Sequence, residues 1–179
     1  MVLPEDAIAE TKHLRLVQRD GWSYVERANA SGVVCVIART DEDKLLLVEQ
    51  HRPPVRCNVI ELPAGLSGDL ANQADEALEE AAQRELLEET GYRAKQLNRK
   101  AVLASSAGIT DEVVTMFVGT GLEKIASGGG DEHEDIQVHE VPIDEVDDWL
   151  ARAQIAGKLV DGRVYAGLHF LRQDSPARE

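Results

Sequence analysis

Residues 76–92 read EALEEAAQRELLEETGY and are the most informative stretch of this 179-residue chain. Glu85, Glu88 and Glu89 are spaced i, i+3 and i+4, so on a helix their carboxylates project from one face. One to two turns earlier the same face is apolar, with Leu78, Ala81 and Ala82. Clustered like charges beside a core are costly, because they raise each other's pKa and lose hydration. A hard divalent cation bound through oxygen, Mg²⁺ or Mn²⁺, relieves that cost.

The limits of this helix are predicted from its flanking residues. Asp75 is suited to be the N-cap, and Gly91 suits the left-handed position after the last turn. A second interpretation of the acidic face is a solvated surface helix, in which Arg84 bridges Glu80 and Glu88 at i±4. The glutamate cluster alone does not choose between a metal site and a solvated face.

Strands and helices mingle in the rest of the chain without a regular repeat. The patterns predict a hairpin over residues 12–28 and a loop over residues 65–72. Further strands are predicted at 33–38, 45–48, 59–63, 101–104, 113–118 and 136–141, and helices at 143–153 and 164–171. The apolar runs are typical of strands covered on both faces, so we expect a mixed α/β (α+β) fold.

Composition excludes several classes of function. Asp and Glu number 33 against 19 Lys and Arg, a formal net charge of -14, which argues against partnership with nucleic acid or an anionic membrane. An anionic substrate would need a cation between itself and the protein. Neither a signal peptide nor a membrane span is recognisable, and the two cysteines indicate no disulfide scaffold. We therefore expect a cytoplasmic protein.

The spacing from Glu76 to Tyr92 resembles the signature of the Nudix hydrolases, G-x5-E-x7-R-E-U-x-E-E-x-G-U. Two positions depart from it. Leu70 stands where the box begins with glycine, so Gly65 is the equivalent residue and about five residues are inserted before the helix. Tyr92 replaces the final aliphatic residue. Neither change touches the acidic positions.

Other segments are similar to the ADP-ribose and ADP-sugar pyrophosphatase branch of this family, namely 22–27, 48–54, 60–66, 106–112 and 162–165. The resemblance implies a Nudix-type α/β/α sandwich with a mixed sheet and an added N-terminal β-hairpin segment. It divides the chain into residues 1–29 for dimerisation and substrate recognition, 30–173 as the Nudix hydrolase domain, and a tail at 174–179.

The same resemblance implies roles for individual residues. Glu85 and Glu89 would bind the metal, with Glu88 nearby and the Ala64 carbonyl as a further ligand. The structural residues of the motif would be Glu76, Arg84, Gly65 and Gly91, with Glu76 holding Arg84. The catalytic glutamate would come from the acidic loop 131–135. Two members of the branch align differently there, one pointing to Glu132 and the other to Glu134, and we favour Glu134.

Three more residues would bind the substrate. Trp22 and Arg27 would hold the adenine and adjacent groups, because an indole stacks on a purine, and Arg52 would hold a phosphate through its guanidinium. Without the resemblance, Trp22 would be a half-buried strand residue and the arginines surface charges. The branch also implies a homodimer whose exchanged hairpin supplies Trp22 and Arg27 to the neighbouring site.

The function implied is Mg²⁺-dependent hydrolysis of the diphosphate of ADP-ribose, to AMP and ribose 5-phosphate, or of a related nucleoside diphosphate sugar. The alternatives are hydrolysis of GDP-mannose or a UDP-sugar, and a non-catalytic module that senses ADP-ribose.

Overall fold

The computed structural model describes residues 6–69, 75–130 and 135–174. The strands in these ranges are β1 (Ala7–Glu10), β2 (Leu14–Arg19), β3 (Trp22–Arg27), β4 (Gly32–Ala38), β5 (Lys44–Arg52), β6 (Cys57–Glu61), β7 (Ala64–Ser67), β8 (Tyr92–Ala104), β9 (Val113–Lys124), β10 (Gln137–Pro142) and β11 (Leu159–Val160). The helices are α1 (Leu78–Thr90), between β7 and β8, α2 (Val146–Ile155), between β10 and β11, and α3 (Gly162–Asp174).

The N-terminal strands form a small antiparallel sheet in the order β1-β2-β3. Asp20 and Gly21 join β2 to β3, and both have positive φ, 51° and 82°, as a tight turn matched to the twist of a hairpin requires. The predicted hairpin is therefore present, whereas β1 was not predicted. The backbone N–H of Val25 donates to the Ile109 carbonyl over 2.8 Å and ties this sheet to the rest of the chain.

Two mixed four-stranded sheets, ordered β7-β4-β9-β8 and β10-β5-β6-β11, form the centre of the molecule. Strand β4 shows how both of its faces are buried. Val34 and Val36 pack with α1, while Cys35 and Ile37 pack with α2 and α3, because successive side chains of a strand point to opposite faces. The expected α/β/α arrangement with strands covered on both faces is confirmed.

Three local predictions need correction. Helix α1 starts after Ala77, whose φ and ψ are -66° and 141° and which makes no side-chain capping bond, so Asp75 is not the N-cap. The supposed loop at 65–72 overlaps β7, which pairs with β4. Two of the four residues of β7 are Gly65 and Ser67, which are typical of loops. Strand β8 covers 13 residues rather than four, since its polar residues lie on a sheet edge where burial does not exclude them.

The end of α1 follows the prediction. Gly91 has φ 77°, and its N–H donates to the Leu87 carbonyl over 2.8 Å. A side chain at Gly91 would also collide with the Ala126 carbonyl. In the described part of the chain, no helix is both long and apolar enough to cross a membrane.

Candidate active site

Helix α1 is fixed by an ion pair between Glu76, which precedes the helix, and Arg84 in its middle. Arg84 Nε donates to Glu76 Oε1 over 3.0 Å, and Arg84 Nη2 donates to Glu76 Oε2 over 3.1 Å and to the Leu66 carbonyl over 2.8 Å. The hydrogen bonds from Arg84 hold the pKa of Glu76 below its usual value. Among the described residues Arg84 pairs with Glu88 but not with Glu80, so the interpretation as a simple surface bridge is wrong.

Glu85 and Glu89 turn from α1 towards the start of β7. The Ala64 N–H donates to Glu89 Oε2 over 3.0 Å, and only 3% of Glu89 is exposed. Gly65 lies against the other carboxylate, because a Cβ at Gly65 would come within 2.0 Å of Glu85 Cδ. Only glycine therefore leaves room for the Glu85 carboxylate beside β7.

The environment of Glu85 disfavours its negative charge. Burial raises its pKa to about 7; Arg84 opposes the rise, while Glu88 and Asp69 add to it. Arg84 Nη1 donates to Glu85 over 2.8 Å and to Glu88 over 3.2 Å, so one guanidinium is shared between two carboxylates. The single positive charge of Arg84 therefore does not balance the negative charges of Glu85 and Glu88.

A cavity of about 700 Å³ opens in front of these glutamates. Its charged lining consists of three arginines, Arg27, Arg52 and Arg163, and six carboxylates, Glu61, Asp69, Glu85, Glu89, Glu112 and Asp161. When all are ionised, the lining has an excess of three negative charges. A diphosphate would be repelled from such a cavity unless a cation accompanied it.

The donor chemistry fits a hard divalent cation. Glu85 and Glu89 offer oxygen ligands only, and Gly65 provides a space that any Cβ would fill. No three His, Cys, Asp or Glu side chains within residues 6–69, 75–130 and 135–174 form a ready-made cation cage. Glu85 and Glu88 instead accept hydrogen bonds from Arg84.

Two of the three predicted substrate residues lie at this cavity. Arg27 Nε donates to Glu112 over 2.6 Å, and Arg52 Nε donates to Glu61 over 2.8 Å. Trp22 is 63% exposed and lines a separate hollow of about 280 Å³, beside Tyr24 and residues 107–111. Within one chain, both arginines therefore lie at the acidic site, whereas Trp22 lies outside it.

Comparison with known proteins identifies the family of this chain. Residues 28–161 match the NUDIX domain family. The chain belongs to the Nudix family. The expected resemblance is thereby confirmed.

Two relatives of this Nudix chain are particularly informative. The methanol dehydrogenase activator of Bacillus methanolicus is 37% identical over 125 residues, which are 69% of this chain and 65% of that protein. The ADP-ribose pyrophosphatase of Bacillus subtilis is 37% identical over 115 residues, which are 64% of this chain and 60% of that protein. The chain thus spans less than two thirds of either relative's length.

A solved structure described as an ADP compounds hydrolase shares the Nudix fold of this chain. The two superpose with a TM-score of 0.70 at 19% sequence identity, covering 93% of this chain and 89% of the other. At this identity the comparison supports the architecture alone.

The charged cavity residues of this Nudix chain that were not singled out from the sequence include Glu61, Glu112, Asp161 and Arg163. Glu61 ends strand β6 directly after the apolar residues Val59 and Ile60, and a buried carboxylate there needs a cationic partner. The other three lie in or next to segments 106–112 and 162–165, which resemble the pyrophosphatase branch. The resemblance of those segments to the pyrophosphatase branch was visible in the sequence, but their positions along the chain did not show that they lie at the site.

The predicted catalytic residues Glu132 and Glu134 lie outside the described residues. The chain just before them is bound to the end of α1. The N–H of Gly129 donates to the Glu89 carbonyl over 2.8 Å, and the N–H of Gly130 donates to the Glu88 carbonyl over 3.1 Å. A glycine is required at 128, since a Cβ there would lie 2.4 Å from the carbonyl carbon of Thr90.

Proposed function

We propose that this Nudix protein hydrolyses the diphosphate of a nucleoside diphosphate sugar, with ADP-ribose as the leading substrate and AMP and ribose 5-phosphate as products. The observation that carries the proposal is the cavity in which Glu85 and Glu89 face Arg27 and Arg52. Carboxylates suited to a cation and guanidinium groups suited to phosphate are the two requirements for binding a diphosphate. The similarity to an ADP-ribose pyrophosphatase supports the choice of substrate.

Glu85 and Glu89 would hold Mg²⁺ or Mn²⁺, with Glu88 and the Ala64 carbonyl as further oxygen donors. The bound cation supplies neutralisation of the diphosphate oxygens and a lowered pKa for its water. The excess of negative charge in the lining makes this neutralisation a condition for substrate binding.

The protein's own residues then orient the substrate. Glu112 and Glu61 engage the Nε atoms of Arg27 and Arg52, which leaves their terminal amino groups for phosphate oxygens. Water forms a bond to one phosphorus while the bond from that phosphorus to the bridging oxygen breaks. The water's proton passes to a loop glutamate, Glu134 or Glu132, and the bridging oxygen leaves with the other phosphate.

The substrate assignment is tested by a panel of ADP-ribose, GDP-mannose and a UDP-sugar, incubated with Mg²⁺ in ¹⁸O water and analysed by mass spectrometry. We expect ADP-ribose to be hydrolysed fastest, with ¹⁸O in one product phosphate. Preference for GDP-mannose or the UDP-sugar would replace the substrate. Tight binding of ADP-ribose without turnover would establish a sensing module, and no turnover or binding would refute the proposal.

The loop glutamates are tested by Glu134→Gln, Glu132→Gln and the double variant. A base that acts only in the transition state changes kcat more than KM, so we expect one single variant to lower kcat with KM nearly unchanged. Full activity in all three variants would place the base elsewhere.

We also propose that the chain acts as a homodimer, with residues 1–29 as the dimerisation and recognition segment, 30–173 as the catalytic domain and 174–179 as a tail. Exposed apolar side chains on the N-terminal strands support this, namely Ile8, Leu14, Leu16 and Trp22. A second copy of the chain, related by two-fold symmetry, can bury such an apolar surface. Because Arg27 lines its own chain's cavity, the residue offered to the neighbouring site is Trp22.

Co-expression of Trp22→Ala with Glu89→Gln tests this exchange. If Trp22 serves the neighbouring subunit, mixed dimers contain one site with both changes and one with neither, so activity recovers above that of either variant alone. No recovery in purified mixed dimers, or a monomer at assay concentration, would refute the exchanged segment.

A further inference from the structure

Four charged side chains form a continuous cluster at the β6 and β11 side of the cavity: Arg52, Glu61, Asp161 and Arg163. We propose that Arg163 is a positioning residue that holds Arg52 in its phosphate-binding orientation through Glu61. The inference rests on the proposed function, in which Arg52 binds a phosphate of the substrate. It assigns the C-terminal helix α3 a part in substrate affinity.

Arg163 is held in place by a single carboxylate. Asp161 Oδ1 accepts the backbone N–H of Arg163 over 2.7 Å and its Nε over 2.8 Å, while Asp161 Oδ2 accepts Nη2 over 2.6 Å. The Asp161 carboxylate therefore both caps the N-terminus of α3 and fixes the guanidinium of Arg163. Its own N–H donates to the Ile60 carbonyl over 2.9 Å, which anchors the pair to β6.

The charge state of Asp161 matches this role. Burial acts to raise its pKa, but the hydrogen bonds and charge of Arg163 outweigh burial and leave the pKa of Asp161 below its usual value. The carboxylate thus stays ionised and continues to bind Arg163 across the neutral pH range.

Glu61 connects Arg163 to Arg52. Its side chain is 6% exposed, and its two oxygens face different arginines. Oε2 accepts the Nε of Arg52 over 2.8 Å, and Oε1 lies 3.5 Å from Nη2 of Arg163. A buried carboxylate between two guanidinium groups has little freedom to move, so it fixes the direction of Arg52, whose side chain is 41% exposed.

The charges in the cluster explain why the position of Arg163 affects phosphate binding. Two arginines and two carboxylates make the cluster neutral. The negative charge of Glu61 is shared between Arg163 and Arg52, so Arg52 can still attract a phosphate. Without Arg163, Glu61 and Asp161 would keep their negative charges beside Arg52 and compete with the phosphate for it. The expected consequence is weaker substrate binding rather than slower chemistry.

The test is a double-mutant cycle of Arg163→Met and Arg52→Met, with KM and kcat measured for ADP-ribose. We expect Arg163→Met to raise KM by about tenfold with kcat within about threefold, and to have no further effect in the Arg52→Met background. Arg163→Lys retains the charge without the planar fork and should recover part of the loss. It also keeps the test usable if the methionine variant folds poorly.

Arg172→Met is the matched control. Arg172 lies on the same helix, pairs with Asp147 over 2.5 Å and does not line the cavity, so its loss should leave KM unchanged. An equal KM increase from Arg163→Met with and without Arg52 would overturn the inference, as would a fall in kcat at constant KM.

Failure of the proposed function gives a different result. If the wild-type protein hydrolyses no nucleoside diphosphate sugar, the same four proteins are compared by their calorimetric Kd for ADP-ribose. Coupling between Arg163 and Arg52 in that Kd would support the inference without the activity. Absence of binding by the wild type would overturn both.

Discussion

Glu49 is buried and Glu85 is half-buried, and the surroundings of these two glutamates shift their pKa values in opposite directions. Glu49, on β5, is 4% exposed and accepts hydrogen bonds from Asn58, His139 and Lys158 over 2.8, 2.9 and 2.7 Å. Glu85, on α1, lies against Gly65 and shares Arg84 with Glu76 and Glu88. Burial acts to raise both pKa values, but the donors around Glu49 bring its pKa below the usual value, while that of Glu85 rises to about 7.

Under the proposed function, Glu49 is a structural carboxylate and Glu85 is a ligand of the cation. The partners of Glu49 come from three places in the fold, and their hydrogen bonds offset the desolvation cost of its burial. Around Glu85 and Glu89 the lining has more carboxylates than arginines. The raised pKa of Glu85 shows that its negative charge is disfavoured, and under the proposed function a bound cation would remove that cost. Substitutions at the two sites should therefore act on different properties.

The largest expected effect is on activity, from Glu89→Gln. A neutral amide replaces an anionic ligand of a hard cation, so we expect hydrolysis of ADP-ribose to fall by at least about 100-fold. Stability should change little, because the glutamine oxygen can still accept the Ala64 N–H. Glu80→Gln on the exposed side of α1 is the control and should keep wild-type turnover. Near wild-type activity of Glu89→Gln at saturating Mg²⁺ would refute the metal assignment.

Glu49→Gln should show the reverse pattern. The amide offers one acceptor oxygen to three donors and removes the negative charge beside Lys158, so we expect the free energy of unfolding to fall by about 1–3 kcal/mol and Tm by about 3–10 °C. Activity should stay within about twofold, because Glu49 does not line the cavity. Denaturation and kinetic assays check both. Glu42→Gln, which removes an exposed pair with Lys44, should leave Tm unchanged; an equal fall there would remove the distinction.

The two glutamates should also give opposite pH dependences in EDTA. The folded-state pKa of Glu85, about 7, exceeds the ordinary 4.5, so its contribution to stability is complete below pH 4.5 and is lost as pH rises to about 7. The loss amounts to at most about 3 kcal/mol. Glu49 has a lowered pKa, so its contribution is present above pH 4.5 and is lost as pH falls below it.

Chemical denaturation from pH 4 to 8 measures these contributions. Relative to wild type, Glu85→Gln should gain stability as pH rises from 4.5 to 7, and Glu49→Gln should approach wild type at the acid end. Parallel curves for Glu85→Gln and wild type would show that the Glu85 carboxyl titrates normally.

The sequence predicted the site where its parts are close along the chain. Glu85, Glu89 and Gly91 follow from helical spacing and capping, and the Nudix motif placed Glu76 beside Arg84. The cluster around Arg163 depends instead on the parallel pairing of β11 with β6, Val160 against Ile60, which joins residues 100 positions apart. No local pattern reports that pairing.

The same limit explains the other differences. Glu49 directly follows the apolar residues 45–48 of β5, and its partners come from β6, β10 and the turn before β11. Strand β7 is short and rich in glycine and serine, and only its pairing with β4 defines it. Patterns along the chain indicate burial and periodicity, whereas contacts between distant segments decide these features.

The most direct test of the account is the number of protons released when Mg²⁺ or Mn²⁺ binds, measured by calorimetry in buffers of different ionisation enthalpy. If Glu85 is a cation ligand with a metal-free pKa of about 7, binding must displace its proton. We expect release of about 0.9 proton at pH 6, almost none at pH 8.5, and none at either pH for Glu85→Gln. Equal proton release by wild type and Glu85→Gln, or wild-type binding with no release at pH 6, would contradict it.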